Sequence, residues 1–337
     1  MIRRRILGLA LIAATLGLAA CGDGGETAAS GGTPKELNFA ITPAEGQQSM
    51  QPLWQPLLDD MSRQIGVKVK PYFISNYTSM IEAMRFNQAQ VGWFSALPAL
   101  EATRRADGEV IGRVVDASGE GSYQSVLIVR KGSGVTLEDV LKCDRTLALG
   151  IGDAKSTTGT LAPKAYLFTP NNIDPAKCFK AVRAANHQSN FMAVANGLTD
   201  VATNNTIGLQ FYERDNPELF QRIEIIWRSP PIPESSILVR KDLDPAVKEK
   251  IRQFFLTYGT GTDEVAEKQR KVLEGLKYGG FRPADNSYLD PIREMEAAEA
   301  LADARRSGDA GRIRKAQAEF DKVRADAAQK RAREPAV

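Results

Sequence analysis

Short apolar runs alternate with amphipathic segments from residue 37 to residue 277. Runs rich in Val, Ile, Leu and Phe predict strands, and apolar residues three or four positions apart predict helices. The predicted strands are 37–42, 67–73, 91–95, 109–115, 123–131, 146–150, 179–184, 199–203, 223–227 and 235–241. The predicted helices are 49–65, a segment through 80–87 capped by Ser75 or Asn76, 98–106, 136–142, 160–168, 188–197, 205–214, 245–258 and 263–277. This alternation predicts an α/β fold with parallel sheets covered by helices.

The strands and helices fall into two series, which are joined by extended segments near 116–125 and 228–236. Two crossings of the chain between two such series predict two lobes, with a ligand cleft between them. We therefore expect the first lobe to comprise 37–122 and 236–287, and the second lobe to comprise 123–235.

The chain becomes rich in charged residues beyond residue 287. Residues 288–337 predict a helical hairpin with a break at Ser307-Gly308-Asp309-Ala310-Gly311. A narrow apolar seam follows from the three- and four-residue spacing of Ile313, Ala316, Phe320, Val323 and Ala327. Two interpretations remain open: the hairpin packs on its own lobe, or it joins two copies of the chain into a homodimer.

The N-terminus has the pattern of a secretory signal peptide. Three arginines precede an uncharged run at 6–18, and Leu18-Ala19-Ala20 precede Cys21. The Leu-Ala-Ala-Cys ending indicates a bacterial lipobox, in which Cys21 is lipidated; an ordinary signal peptide with a chance cysteine is the alternative. We predict a signal peptide at 1–20 and a flexible Gly/Ser/Thr-rich tether at 21–36. Periplasmic or other extracytoplasmic localisation, with lipid anchoring to a membrane, follows.

Charge and histidine content exclude several partners. The chain has 44 basic and 41 acidic residues, and removal of the three signal-peptide arginines leaves 41 of each. Because no basic patch with interleaved aromatic residues remains, we expect no nucleic-acid partner. A single histidine and no Cys/His cluster make a metal site improbable, and no cofactor is indicated.

Two cysteines other than Cys21 precede β-prone runs. Cys143 and Cys178 would lie close together if the two strands that follow them run side by side. In an oxidising compartment a disulfide would close a loop of 35 residues and contribute about 3–4 kcal/mol. Two buried free thiols are the alternative.

Three consecutive hydroxyl residues mark the start of one predicted helix. Ser156, Thr157 and Thr158 precede Gly159 in the stretch GIGDAKSTTGTLAPKAYLF. Unpaired backbone N–H groups at a helix N-terminus favour an anion, and the hydroxyls add uncharged donors. A plain N-cap is the alternative, although one hydroxyl suffices for a cap. His187, the only histidine, lies at another strand-to-helix turn, where a bound anion would favour its donating form.

The chain resembles the periplasmic phosphonate-binding proteins of ABC importers over nearly its whole mature length. The matching stretches are VKVKPYFISNYTSMIEAMRFNQAQVGWF, YQSVLIVRKGS, GDAKSTTGTLAPKAYLF, FMAVANGLTDVATNN, IIWRSPPIP and FFLTYG. The resemblance implies a type II periplasmic-binding-protein fold whose lobes close on the ligand. It also implies that the phosphonate oxygens are held by Tyr77, Tyr123, Ser156, Thr157, Thr158 and His187.

The chain departs from the family pattern for aminoalkyl phosphonates at two positions. Ile207 stands where that pattern has Glu, and Ser235 stands where it has Asp. Losing both carboxylates argues against 2-aminoethylphosphonate, although the neighbouring Glu234 is a partial substitute. The apolar Ile207 suits hydrogen, methyl or a short alkyl group on phosphorus; alternatively, Ile207 packs in a helix and the ligand tail points elsewhere.

The resemblance implies a solute-binding lipoprotein that delivers phosphonate, phosphite or a short alkylphosphonate to an ABC importer. The alternatives are a ligand sensor that uses the same pocket, and a 2-aminoethylphosphonate binder with a rearranged ammonium site. An enzyme with a triad of Ser156, His187 and Asp200 is a weak rival, because no nucleophile-elbow pattern is present. We therefore expect a binding protein and no catalysis.

Overall fold

The computed structural model describes residues 34–331 of the 337-residue chain. The predicted signal peptide, Cys21 and nearly all of the predicted tether lie outside these described residues. The strands are β1 (Glu36–Ile41), β2 (Lys68–Phe73), β3 (Val91–Phe94), β4 (Gly108–Val115), β5 (Ser122–Tyr123), β6 (Ser125–Arg130), β7 (Ala148–Ile151), β8 (Ala181–Ala184), β9 (Val201–Asn205), β10 (Ile223–Arg228), β11 (Ile232–Pro233), β12 (Ser236–Arg240) and β13 (Gly280–Arg282).

The helices alternate with these strands, as the sequence pattern predicts. They are α1 (Gln47–Ile65), α2 (Tyr77–Arg85), α3 (Ala96–Arg105), α4 (Leu137–Leu141), α5 (Pro175–Cys178), α6 (His187–Ala195), α7 (Thr206–Asp215), α8 (Pro217–Phe220), α9 (Pro245–Thr257), α10 (Glu264–Gly275), α11 (Asp290–Ser307) and α12 (Ala310–Arg331). A 3-10 turn spans Asn286–Leu289. The α/β fold class is confirmed, whereas β13, α5 and α8 are not in the sequence prediction. Asn76 caps α2 by accepting a hydrogen bond from Ser79 N at 2.8 Å.

Lobe 1 is built on a six-stranded sheet in the order β13-β4-β12-β3-β1-β2. The expectation of a parallel sheet holds only for β1 with β2 and β3. Strand β12 runs antiparallel to β3 and β4, and β13 runs antiparallel to β4. The reason is that the chain returns from the other lobe at the edge where β3 ends, since Ser236 pairs with Phe94.

Lobe 2 is built on a five-stranded sheet in the order β10-β6-β9-β7-β8. Here β7 runs parallel to β8 and β9, whereas β6 runs antiparallel to β9 and β10, so the all-parallel expectation is again wrong for the strands beside the crossing. The two crossing segments pair with each other, because β5 and β11 form an antiparallel ribbon in which Ile232 faces Tyr123.

The lobes have separate hydrophobic cores, and a further cluster joins them. In lobe 1, Trp54 of α1 packs on Phe39 of β1 with ring centroids 5.4 Å apart. The joining cluster brings Leu97 and Leu100 of α3 into one buried group with Leu161 and Ala162 of lobe 2. Burial of this apolar surface favours the closed arrangement of the lobes.

The predicted helix at 160–168 is mostly π-helical. Thr157–Leu161 and Lys164–Phe168 are π turns, and the two residues between them are α-helical. Such wide turns are rare and occur frequently at functional sites.

The C-terminal hairpin packs on the body of the protein through α11. Ile292 and Met295 enter the cluster that joins the lobes, and the Glu299 carboxylate accepts a hydrogen bond from Thr169 of lobe 2 at 3.0 Å. Helix α12 packs on α11, and its predicted seam is partly buried, with Ala327 only 3% exposed. Gly308 makes the turn between the helices in the left-handed conformation, with φ 69°.

In the structure a disulfide bond joins Cys143 and Cys178, with Cα atoms 4.1 Å apart. The two cysteines precede the parallel neighbours β7 and β8, so the bond ties the beginnings of these strands together. It closes a loop with a sequence separation of 35 residues.

We expect the double variant Cys143→Ser/Cys178→Ser to lose about 3–4 kcal/mol of unfolding free energy, because its unfolded chain is less constrained. Urea unfolding of the mature protein without reductant measures this loss. As a control, thiol titration of the unfolded, unreduced native protein should detect no reactive thiol from these positions. Two reactive thiols there would contradict the bond.

Candidate functional site

A small cavity of about 40 Å³ lies between the lobes, where the carboxyl ends of several strands meet the N-termini of helices. Tyr77 and His187 are the first residues of α2 and α6, and Ser95, Ser156 and Asn205 are the N-caps of α3, the first π turn and α7. Ligands in open α/β sheets bind at this carboxyl edge of the strands. Five positive helix ends therefore converge on one cavity, an arrangement that favours an anion.

The hydroxyl loop of lobe 2 forms one wall of this cavity. Ser156 Oγ accepts a hydrogen bond from Gly159 N at 3.0 Å, so it acts as the predicted cap. Ser156 Oγ and Thr158 Oγ1 also lie 3.5 and 3.3 Å from His187 Nε2. Glycine is required at position 159 because the backbone of Gly152 lies against it. Gly152 N donates a hydrogen bond to Gly159 O at 2.9 Å, and a Cβ atom on residue 159 would lie only 2.7 Å from Gly152 Cα.

Two tyrosines face this loop from the opposite side. Tyr77 lies beside Ser156 and Tyr123 lies beside Thr158, and all four line the cavity. Burial raises the pKa of both tyrosines above its usual value, so both hydroxyls stay protonated. They are therefore available as uncharged hydrogen-bond donors.

His187 joins the same wall as a neutral imidazole. Burial lowers the pKa of His187 to about 4, so the ring carries no charge at neutral pH and one of its nitrogens bears a hydrogen. Its Nδ1 has no hydrogen-bond partner among the described residues. A ligand oxygen can take the N–H without displacing a protein contact. We call Tyr77, Tyr123, Ser156, Thr158 and His187 the headgroup clamp.

Thr157 is the one predicted ligand residue that the structure does not place in the cavity wall. Its side chain is 1% exposed, and Thr157 Oγ1 accepts a hydrogen bond from Leu97 N of lobe 1 at 2.9 Å. The π turn directs neighbouring hydroxyls to different sides, so only Ser156 and Thr158 face the cavity. Thr157 instead links the two lobes.

Further contacts cross the cleft and keep the lobes together. Gln188 Oε1 of lobe 2 accepts from Gly46 N of lobe 1 at 2.9 Å, and His187 N donates to Ala44 O at 3.1 Å. Lys155 and Glu101 form an ion pair across the rim. These contacts describe a closed state of the two lobes.

Several cavity residues were not anticipated from the sequence. Ser95 lines the wall, and its Oγ has no hydrogen-bond partner within residues 34–331. It directly follows β3 and precedes α3, the same strand-to-helix signal that identified Ser156 and His187. Trp93 and Tyr278 also line the cavity, but no local pattern distinguishes them from core aromatics.

Two buried carboxyl groups lie in the cavity wall, and one of them, Glu45, was also missed. Both Glu45 oxygens accept from the Tyr212 hydroxyl at 2.7 Å, a contact between lobes. Burial raises the pKa of Glu45 to about 8, an effect that outweighs the opposing hydrogen bond. Burial also raises the pKa of Glu234, which lines the cavity, as do Ser235 and Ile207.

The structure does not bring Ser156, His187 and Asp200 together as a catalytic triad. Asp200 Oδ2 accepts from Ala148 N at 2.7 Å and pairs with Lys180 at 3.0 Å, and His187 has no contact with it. The described part of the chain contains no cluster of three or more potential metal ligands. None of its helices is long and apolar enough to cross a membrane.

Comparison with known proteins identifies relatives that cover most of the chain. The Phosphonate-bd family, described as ABC transporter, phosphonate, periplasmic substrate-binding protein, matches residues 39–289. The phosphonates-binding periplasmic protein of Escherichia coli K12 is 42% identical over 262 residues, which cover 77% of this chain and 76% of that protein.

Solved structures agree with this assignment. A binding protein component of an ABC phosphonate transporter from Pseudomonas aeruginosa superposes with a TM-score of 0.83 at 36% identity, covering 88% of this chain and 99% of that one. PhnD1 of Prochlorococcus marinus in complex with methylphosphonate shares the fold, with a TM-score of 0.69 at 20% identity and coverage of 78% and 97%. These relatives are binding components of transporters and not enzymes, and the chain belongs to the family of periplasmic substrate-binding proteins of phosphonate ABC transporters.

Proposed function

We propose that this protein captures one small phosphorus oxyanion, such as phosphite, methylphosphonate or a short alkylphosphonate, and delivers it to an ABC permease. The observation that carries the proposal is the convergence of the headgroup clamp and five helix N-termini on a single closed cavity. A PO₃ group presents three acceptor oxygens in a compact cluster, and the clamp supplies uncharged donors from both lobes. The ligand then contributes to lobe closure.

The size of the ligand requires that nearly every donor contributes. The best small ligands gain about −1.5 kcal/mol per non-hydrogen atom, hence about −6 kcal/mol for phosphite and about −7.5 kcal/mol for methylphosphonate. Micromolar affinity needs about −8 kcal/mol. Even these upper values are reached only if nearly every donor makes its hydrogen bond to the charged group, each bond being worth about 1.5–3 kcal/mol.

A thermal-shift screen with phosphite, methylphosphonate, ethylphosphonate, 2-aminoethylphosphonate, phosphate and sulfate tests the proposal. We expect at least one phosphonate or phosphite to raise the midpoint temperature, since a ligand at 100 times its dissociation constant adds about 2.7 kcal/mol of stability. Sulfate should have no effect, because it brings neither a carbon tail nor a proton. The His187→Ala variant should lose the response. No response of the native protein to any phosphorus compound would overturn the proposed function.

Export and anchoring complete the proposal. The lipobox ending at Cys21 supports a lipidated N-terminus after removal of residues 1–20, and residues 21–36 would serve as the tether to the membrane surface.

The seam of α12 packs on α11 of the same chain, which favours a hairpin that packs on its own lobes over a homodimer through these helices. A sensor that uses the same cavity but contacts a receptor in place of a permease is distinguished by pull-down with the permease.

A further inference from the structure

The side chains of residues 155–158 alternate between two surroundings. Ser156 and Thr158 line the cavity, whereas Lys155 and Thr157 contact helix α3 of lobe 1. Ser156 has an extended backbone, with φ −72° and ψ 127°, so the side chains before and after it lie on the side opposite to its own. One short segment of lobe 2 therefore faces the ligand with two side chains and lobe 1 with the other two.

The two contacts with lobe 1 match one turn of α3. Leu97 N donates a hydrogen bond to Thr157 Oγ1 at 2.9 Å, and the carboxylate of Glu101, four residues further along α3, pairs with Lys155 Nζ. Residues four apart lie on the same face of a helix. The segment therefore docks on one face of α3 at two points, of which the Lys155–Glu101 pair is the one that carries charge.

Asp153 makes residues 152–160 a single hydrogen-bonded unit. Its carboxylate accepts from Lys155 N at 2.8 Å, and its carbonyl accepts from Ser156 N and from Thr160 Oγ1, both at 2.8 Å. Because the backbones of Lys155 and Ser156 are fixed to the same residue, the ion pair at the rim and the hydroxyl in the cavity are positioned together. Docking of Lys155 on α3 therefore also holds part of the headgroup clamp in place.

Glu101 is held ready for Lys155 by its own lobe. Its second oxygen pairs with Arg105 at 3.1 Å, and Arg105 also pairs with Glu82 at 3.1 Å. Lys155, in contrast, has no other ion pair among residues 34–331. Separation of the lobes would leave Glu101 with Arg105 and Lys155 without an acidic partner. The pair between Lys155 and Glu101 is therefore a property of the closed state.

The burial of this pair sets the size of its effect. The Glu101 side chain is 11% exposed and that of Lys155 is 35% exposed. An exposed ion pair contributes little, whereas loss of one partner of a fully buried pair is strongly destabilising. Since Arg105 still compensates Glu101 after the loss of Lys155, we expect an effect between these limits.

We propose that Lys155 is a positioning residue that retains the ligand: by pairing with Glu101 it locks the closed lobes and slows ligand release. Lys155 does not line the cavity, so it acts through the docking of its loop and not by contact with the ligand. The effect should accordingly be the same whatever group the phosphorus carries. This inference rests on the proposed function for its main readout, the release of a phosphorus oxyanion.

Stopped-flow measurement of the dissociation rate of methylphosphonate tests this inference. Lys155→Met and Glu101→Gln should each raise the rate about 3- to 10-fold. The double variant should raise it no further than either single variant, because each of them already removes the pair. Lys155→Arg keeps the charge and should retain a rate close to the native one. Ethylphosphonate should show the same factors, since Lys155 does not contact the ligand.

Lys180→Met is the matched control. It removes the same charge from the same lobe, but Lys180 precedes β8 at the end of the sheet away from the cavity, where it pairs with Asp200 at 3.0 Å. Its dissociation rates should equal those of the native protein. Native-like rates in both Lys155→Met and Glu101→Gln would overturn the inference and leave the proposed function intact.

Small-angle scattering of the ligand-free protein tests the ion pair independently of any ligand. We expect a larger open fraction in Lys155→Met and Glu101→Gln than in the native protein and Lys180→Met. If neither phosphonate nor any other phosphorus compound binds, the proposed function fails, and the open fraction then decides the inference. Open fractions equal to the native value would overturn it as well, whereas larger ones would support the role of Lys155 in holding the lobes together.

Discussion

Replacing Thr158 by Val should weaken methylphosphonate binding by about 10- to 100-fold, because the substitution keeps the shape of the side chain and removes one donor to a charged headgroup. Thr158 Oγ1 lies 3.3 Å from His187 Nε2 and beside Tyr123, at the centre of the headgroup clamp. Its backbone carbonyl, which accepts from Ser125 Oγ, is unaffected. Isothermal titration gives the affinity, and thermal unfolding without ligand should change little.

Two comparison variants make this result specific. Thr158→Ser keeps the hydroxyl and should retain most of the affinity. Thr157→Val removes the acceptor of Leu97 N between the lobes, so we expect it to weaken all ligands by a similar factor through a less stable closed state. Native-like affinity of Thr158→Val would remove its hydroxyl from the clamp. A loss in Thr157→Val that is confined to one ligand would place that hydroxyl in the ligand site.

Closure of the protein without ligand should weaken as the pH rises from about 6.5 to about 8. At lower pH the protonation of His187, whose pKa is lowered by burial from 6.5 to about 4, opposes the effect of Glu45. In the closed state burial raises the pKa of Glu45 from 4.5 to about 8, whereas opening separates Glu45 from Tyr212 and exposes it to water. The closed state therefore binds the proton more tightly. Its stabilisation by this proton is fully present below pH 4.5 and is lost as the pH rises through about 8. Small-angle scattering of the ligand-free protein measures the open fraction at each pH.

The variant Glu45→Gln should remove this pH dependence, since its side chain does not ionise and still accepts from the Tyr212 hydroxyl. Tyr77, a tyrosine of the cavity wall on which Glu45 also acts, has its pKa raised and does not titrate in this range. Tyr212→Phe is the matched control: it removes the contact, so the closed state should be weaker at every pH, but Glu45 still ionises. A compactness that does not change between pH 6.5 and 8 in the native protein would contradict this role of Glu45.

The strand and helix pattern was largely predictable because it depends on local sequence periodicity, and the Asn76 cap followed from a short-range hydrogen bond. The relative direction of the strands was not predictable. Strands β6 and β12 are antiparallel to their neighbours because each begins at the crossing between lobes, and the sequence shows where the chain crosses but not from which edge it enters the sheet.

The gathering of the clamp side chains in one cavity wall was predictable for a similar reason. Ser156, Thr158 and His187 each lie at a strand-to-helix turn, a local feature that places donors at a helix N-terminus. Ser95 shares this signal and could have been found by applying it to every such turn. Glu45 could not, since only the closing of the two lobes brings it into one wall with Glu234, which the sequence comparison had already singled out.

The sequence by itself determined the α/β alternation, the two-lobed organisation of the chain and the set of small hydroxyl donors, because periodicity and capping act over a few residues. Only the tertiary structure decided which of the three adjacent hydroxyls faces the cavity, since the π turn sets their directions and assigns Thr157 to the contact with Leu97. It also decided the charge of the site. Burial keeps His187 neutral and raises the pKa of Glu45 and Glu234, and the extent of burial depends on packing between segments that are distant in the chain.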